Sequence, residues 1–264
     1  MTTHIAIVDC QPLPAAVQQR TGYKGFFEAF TRLFELAGAK GVVFDRYNAF
    51  LGEFPSLEDS IPCAIVVSGS FSSAYTDEDW ILTLKNNLRS IHGKAPVIGI
   101  CFGHQIVAEA LGGKCGPMAR GPEVGCVSAQ LTAPGRRIFQ SLSDQTLNRD
   151  NIRLVYFHFD EVKILPPGAV LLASSESCPV EAFCVPNEHI LCLQGHPEFG
   201  SNLELMRALL DSSLENGKLC CEDYQKAVTS LELPADSLEI GASLLRFALS
   251  ASTIFESLSL HASP

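Results

Sequence analysis

Short apolar runs alternate with amphipathic stretches along most of this chain. Residues 4–8 (HIAIV) form a continuous apolar run that stops at Asp9, the pattern of a strand buried on both faces. Residues 25–37 then place Phe26, Phe30, Leu33, Phe34 and Ala37 at helical spacing. Residues 42–44 and 64–67 read as the next two strands. A helix is predicted over DEDWILTLKNNLRSIHG, capped by Asp77, with acidic residues at the positive end of its dipole and Gly93 as its stop. Residues 96–100 read as a central strand and 102–111 as a helix closed by Gly112-Gly113. Strands separated in this way by helices predict a mostly parallel sheet with helices on its faces.

The second half changes character. Strand-like runs at 123–132, 152–158, 169–173, 181–185 and 190–194 follow one another too closely for a helix in every gap, so this part is expected to be antiparallel. Ser201 opens a helical tail with Leu203, Met206, Leu210 and Leu214 near one face, and residues 222–250 predict one or two further helices. Neither an internal repeat nor a low-complexity segment is present. The expected fold is α/β: a flavodoxin-like open mixed, mostly parallel sheet flanked by helices, with a small antiparallel section. Residues 1–200 are expected to form one domain, with 201–264 a helical extension packed on it.

Composition narrows the functional classes. With 264 residues, 47% of them apolar, the chain can bury a core that needs neither disulfide nor metal to fold. A net charge of −10 without blocks of like charge repels phosphate backbones and anionic lipid, so nucleic acid and membrane are not expected partners. The N-terminus lacks a basic leader pattern, and no run reaches the ~20 apolar residues of a membrane helix. The ten cysteines are scattered, several inside apolar runs such as CAIVV and ILCLQ, and no CxxC pair occurs; a reducing, cytoplasmic location is expected, and no metal site.

The strongest chemical signal is APVIGICFGHQIVAEALGG. A buried strand runs into Cys101 and a helix begins at once, with Gly99 and Gly103 two residues to either side. This is the logic of a nucleophile elbow, where a tight strand-to-helix turn exposes the reactive atom. A helix N-terminus favours thiolate over thiol, and the N–H of Phe102 is a natural oxyanion donor. The competing reading is a buried structural cysteine with glycines required for packing. What separates the two is a base.

Seven histidines are available. His4, His92, His189 and His261 sit at a strand start, a helix end, a loop and the tail, where structural roles are expected. His104 is held one turn into the nucleophile helix, which leaves His158 and His196. His196 stands in ILCLQGHPEF, where an apolar strand ends and Pro197 confines the histidine to extended backbone. Glu198 can then accept the other ring N–H and fix the tautomer, the task of the third member of a triad.

Taken together, G-I-C-F-G-H-Q at 99–105 and Q-G-H-P-E at 194–198 resemble the class I glutamine amidotransferases, over roughly residues 4 to 200. The resemblance implies catalysis by Cys101, His196 and Glu198. It also implies a second oxyanion N–H from the Val67-Ser68-Gly69-Ser70 turn, either Gly69 or Ser70; many members have Gly-Gly-Pro there, whereas this chain continues Gly69-Ser70-Phe71. Gln105 matches the glutamine that helps hold substrate, and His158, in FHFDEV, falls in the segment that lines the glutamine pocket, with a purely structural role for its loop equally open. Gly52-Glu53-Phe54-Pro55, Asp79-Trp80-Ile81 and Leu171-Leu172-Ala173-Ser174-Ser175-Glu176 are similar to free-standing members, the γ-glutamyl peptidases.

The implied reaction is hydrolysis of a γ-glutamyl amide, in a peptide, a glutathione conjugate or glutamine, through a γ-glutamyl thioester, without cofactor. The first alternative is a glutaminase that delivers ammonia to a separate synthase partner. The second is a retired fold kept for binding or regulation. GSFSSAY lacks the Gly-Lys-Ser/Thr end of a P-loop. Selectivity beyond the scissile bond is expected from loops 10–24, 46–62 and 115–125.

Overall fold

A computed structural model describes residues 3–58, 61–91, 93–143 and 150–259; His92 and His261 lie outside them. In chain order the strands are β1 (Thr3–Asp9), β2 (Val42–Asn48), β3 (Ala64–Val67), β4 (Val97–Ile100), β5 (Lys114–Pro117), β6 (Glu123–Leu131), β7 (Asn151–His158), β8 (Asp160–Ile164), β9 (Val170–Ser174), β10 (Ala182–Val185) and β11 (Ile190–Leu193). The helices are α1 (Ala15–Thr21), α2 (Phe27–Leu36), α3 (Asp79–Ser90), α4 (Phe102–Ala110), α5 (Ala133–Ser141), α6 (Pro197–Gly200), α7 (Leu203–Glu215), α8 (Cys221–Ser230) and α9 (Ser237–Ser259). Among the described residues, no helix is long and apolar enough to cross a membrane.

Nine strands form one sheet in the order β2-β1-β3-β4-β11-β10-β9-β6-β7, and β5 pairs with β8 in a separate ribbon. The first five are parallel and the rest antiparallel; only β10 and β6 run against the common direction. In the parallel block both strand faces are buried. Ile5, Ile7, Val66 and Ile100 point to one side, against Phe30, Phe34 and Leu209. Ala6, Val8, Ile65 and Val67 point to the other, against Ile81, Leu84 and Ile106. Continuous apolar runs are the sequence trace of that double burial.

Several boundaries differ from expectation. α3 starts at Asp79 behind Glu78 rather than Asp77, and it ends with Ile91 as its cap before reaching Gly93. α1 falls in 10–24, expected to be a loop, and α5 in the gap after residue 132, where no element was predicted: α1 is seven residues with no side-chain cap, and α5 begins Ala-Pro-Gly behind the Thr132 cap. Ile240, Leu244 and Phe247 of α9 are buried against the sheet and α2, so the tail's apolar face is used internally.

Chain order places β1 next to both β2 and β3, so connections leave it in opposite directions and open a crevice at the carboxyl ends of the strands. β3, β4 and β11 are adjacent and parallel there. The segments that follow them are the Ser68–Ser70 turn, Cys101 and His196.

Candidate active site

At the end of β4, Cys101 has φ 55° and ψ −107°, a left-handed backbone that a side chain adopts only under constraint. The constraint is visible. Cys101 N–H donates to Leu193 O of β11 at 2.9 Å, and Gly103 N–H to Ser68 O at 3.0 Å. A methyl group on Gly99 would lie 2.6 Å from Gly103 O, and one on Gly103 would lie 2.1 Å from Val67 O. Any side chain at either glycine would therefore force the elbow open.

His196 follows β11 and is fixed by an antiparallel bridge to β7, its N–H donating to Val155 O at 2.7 Å. Pro197 holds it at φ −105°, ψ 92° and then starts the short α6, so Glu198 returns to the ring through a helical turn, not along an extended segment. Glu198 Oε1 lies 2.6 Å from His196 Nδ1, with both side chains buried. Phe199 stacks on the imidazole, centroids 4.1 Å apart and planes within 10°. Burial disfavours the imidazolium, but the Glu198 carboxylate and the Cys101 sulfur outweigh it and push the histidine up to about 10. Nε2 has no hydrogen-bond partner among the described residues.

Gly69 closes the third side. A methyl group there would meet His196 Cε1 at 3.1 Å and Cys101 Cβ at 3.8 Å. The N–H groups of Gly69, Ser70 and Phe102 have no acceptor among the described residues, so all three are free to receive an oxygen. Phe102 itself is backed by Trp80, which stacks on Phe50 at 4.4 Å; the Asp79-Trp80-Ile81 run thus buttresses the start of α4.

Cys101 and His196 open into a cleft of about 790 Å³. Gln105 lines it, but its amide is spent on the scaffold, donating to Asp160 O at 2.8 Å and Gln194 Oε1 at 2.9 Å. His158 also lines it, yet both ring nitrogens are engaged: Nδ1 with Asp160 O and Nε2 with Glu123 Oε2, each at 2.9 Å. Glu123 is held further by Ser175 and Ser177. Burial works against the Glu123 carboxylate, but His158 outweighs it and holds it down to about 2. Beside them Glu181, buried and next to that negative charge, is pushed up to about 10 and so keeps its proton.

Glu123, His158 and Glu181 are the described group whose ligand atoms all approach within 4.8 Å, the spacing a metal ion could use. The bonds already made to Glu123 and His158 describe a proton-sharing network. Sequence reasoning misses Glu181 because it stands inside the apolar run before β10. The remaining histidines have other surroundings: His4 bonds Asp45 at 2.8 Å, and His104 packs on Phe183, away from the cleft, where burial lowers it to about 3. Of the three loops expected to face the substrate, only 10–24 reaches the cleft, through Pro14; the opposite wall comes from α7 and the turn after it.

A family model described as glutamine amidotransferase class-I matches residues 23–215. Gamma-glutamyl peptidase 3 of Arabidopsis thaliana is 35% identical over 80% of this chain and 82% of its own length. The GMP synthase [glutamine-hydrolyzing] of Azoarcus sp. is 35% identical over 59% of this chain and 28% of its own. The crystal structure of a glutamine amidotransferase from Thermotoga maritima covers 97% of this chain and 99% of that one at a TM-score of 0.68; at 19% identity it is a likeness of fold.

Proposed function

The chain belongs to the class I glutamine amidotransferases, and we propose that it is a hydrolase of γ-glutamyl amide bonds in peptides, with Cys101 as nucleophile. The observation that carries this reading is the strained cysteine sharing one cleft with a buried His–Glu pair. His196, whose imidazolium the Glu198 carboxylate favours, stands beside the sulfur as the proton partner of the nucleophile. The thiolate attacks the γ-carbonyl carbon, and the oxyanion is received by the N–H of Phe102 and of Gly69 or Ser70. Collapse breaks the C–N bond as His196 passes its proton to the leaving amine. The γ-glutamyl thioester is then attacked by water, which gives its proton to His196, and glutamate leaves as the thiolate returns.

Similarity to a γ-glutamyl peptidase over most of both chains favours peptide substrates, glutathione and its S-conjugates among them. A second reading, a glutaminase that supplies ammonia to a separate synthase, draws on the match to a glutamine-hydrolysing GMP synthase, which spans a smaller part of this chain. The test is glutamate release from glutathione, an S-substituted glutathione and glutamine by the purified protein and by Cys101→Ala. We expect the peptides to be cut well above glutamine and the variant to be inactive. Parent-rate release by Cys101→Ala would remove the mechanism, and cleavage of glutamine alone would leave the ammonia-supplying reading.

A further inference from the structure

The cleft runs from Cys101 and His196 past Phe71 to Lys218. Its walls are unequal. One is aromatic, with Phe71, Phe157 and Phe159. The other is the C-terminal half of α7 and the turn that follows it, ending at Lys218.

That turn is a built feature. Asn216 caps α7, Gly217 takes φ 75°, and Gly217 N–H donates to Leu214 O at 3.2 Å. Leu219 is buried and its N–H bonds Ser213 O at 3.0 Å, while Asn216 Oδ1 accepts the N–H of Lys218 at 3.1 Å. Buried Leu219 anchors the backbone, so the neighbouring Lys218 is left exposed at the rim. The Lys218 ammonium lies 5.7 Å from the centroid of the Phe71 ring. Among the described residues it forms no ion pair, and it is the only lysine or arginine lining the cleft of a chain with net charge −10.

The two halves of a γ-glutamyl substrate leave Cys101 at different times. The glutamyl half stays on the cysteine, which is 5% exposed at the base of the cleft. The amine half must depart while the thioester persists, so it faces the open rim. Lys218 stands at that rim.

We propose that Lys218 is a specificity residue that binds a carboxylate on the amine half of the substrate, with Phe71 and Phe159 bounding an apolar zone beside it. This rests on the γ-glutamyl hydrolase reading. The preferred substrates are then γ-glutamyl peptides with a free C-terminal carboxylate, and an apolar substituent nearby is tolerated.

The experiment compares a γ-glutamyl tripeptide acid with its C-terminal amide, by glutamate release, for the parent protein, Lys218→Met and Lys218→Arg. The acid is expected to exceed the amide in kcat/KM by about 3- to 10-fold in the parent, through KM, and less so at high salt. Lys218→Met should bring the ratio to about one, and Lys218→Arg should keep it. An unchanged acid-to-amide ratio in Lys218→Met overturns the proposal. So does an equal loss on both substrates, because it places the lysine on the glutamyl half or in the scaffold. Calorimetric titration of both peptides into Cys101→Ala, with and without Lys218→Met, reads the same contact without turnover. If the parent releases no glutamate from any substrate, the hydrolase reading fails by itself. Equal binding of acid and amide there would overturn the Lys218 contact separately.

Discussion

Two buried histidine–glutamate pairs flank Cys101, and they are built for different ends. His196 and Glu198 are two residues apart on the turn after β11; His158 and Glu123 meet across the β6–β7 ladder, paired directly in register. Their bond lengths are similar, 2.6 and 2.9 Å. The difference lies in what the second nitrogen meets. His196 keeps Nε2 without a partner among the described residues on the side of the thiol, whereas His158 spends Nδ1 on Asp160 O, and its glutamate is enclosed by two serines and a second carboxyl group. A free nitrogen facing a nucleophile can move a proton during a reaction. A nitrogen committed to a backbone carbonyl can only hold a strand in place. The first pair is thus suited to chemistry and the second to fixing the Phe157–Asp160 wall, whose Phe157 carbonyl lies 3.9 Å from Cys101 Sγ.

The largest effect that could break this contrast is expected at Glu198. Glu198→Gln retains an oxygen for Nδ1 but removes the charge, and we expect kcat to fall by about 10²–10⁴-fold with little change in melting temperature. The pH profile carries a second signature. His196 is pushed up to about 10, so the parent keeps its imidazolium across neutral pH and loses it only as the pH rises towards that value. Without the anion at position 198 the histidine gives up its proton earlier, and the alkaline limb of kcat/KM moves to lower pH. A limb that does not move would show that Glu198 does not set the charge of the ring.

These two pairs also mark what a sequence can disclose. Cys101 with its glycines, and His196 with Pro197 and Glu198, are legible because each constellation is complete within a few residues and each follows an apolar strand. Adjacency of β3, β4 and β11 then brings them together. The second network is not local. Glu123 and His158 come from a long-range antiparallel pairing, and Glu181 hides in an apolar run where nothing distinguishes it from a strand residue at a sheet edge. Lys218 escapes for a related reason: helical spacing in 201–217 identifies a tail, but only packing shows which end of it reaches the cleft. β5 and β8 carry a terminal Pro and a charged pattern respectively, so neither alone has the signal of a strand.

A smaller effect is expected at Glu123. Glu123→Gln removes the carboxylate that His158, Ser175 and Ser177 bond, which should cost about 1–3 kcal/mol of stability. For a chain of this size that is a drop of roughly 2–4 °C in melting temperature per kcal/mol. Turnover should fall by no more than about tenfold, because the wall shifts while the reacting groups stay. Calorimetry beside steady-state kinetics decides it. A loss in kcat equal to that of Glu198→Gln, at an unchanged melting temperature, would move His158 from the scaffold into the chemistry.

The smallest and most specific effect concerns Glu181, which tests whether the second network stores a proton. Burial and the neighbouring Glu123 charge push it from an ordinary 4.5 up to about 10. Below pH 4.5 the folded and unfolded chains both carry this proton, and the interaction is fully present. Between 4.5 and about 10 the unfolded chain has released it while the folded chain retains it, so stability falls as the pH rises. Glutamine at this position cannot ionise. Glu181→Gln should therefore come close to the parent near pH 5 and exceed it progressively as the pH rises to about 8, by about 2–4 °C for each kcal/mol recovered. Activity should change by less than about threefold, since Glu181 does not line the cleft. Melting curves of both proteins across this range are the measurement. If they run parallel from about pH 5 to about pH 9, Glu181 is ionised in the folded protein, and a second buried anion would have to be neutralised from outside the three residues.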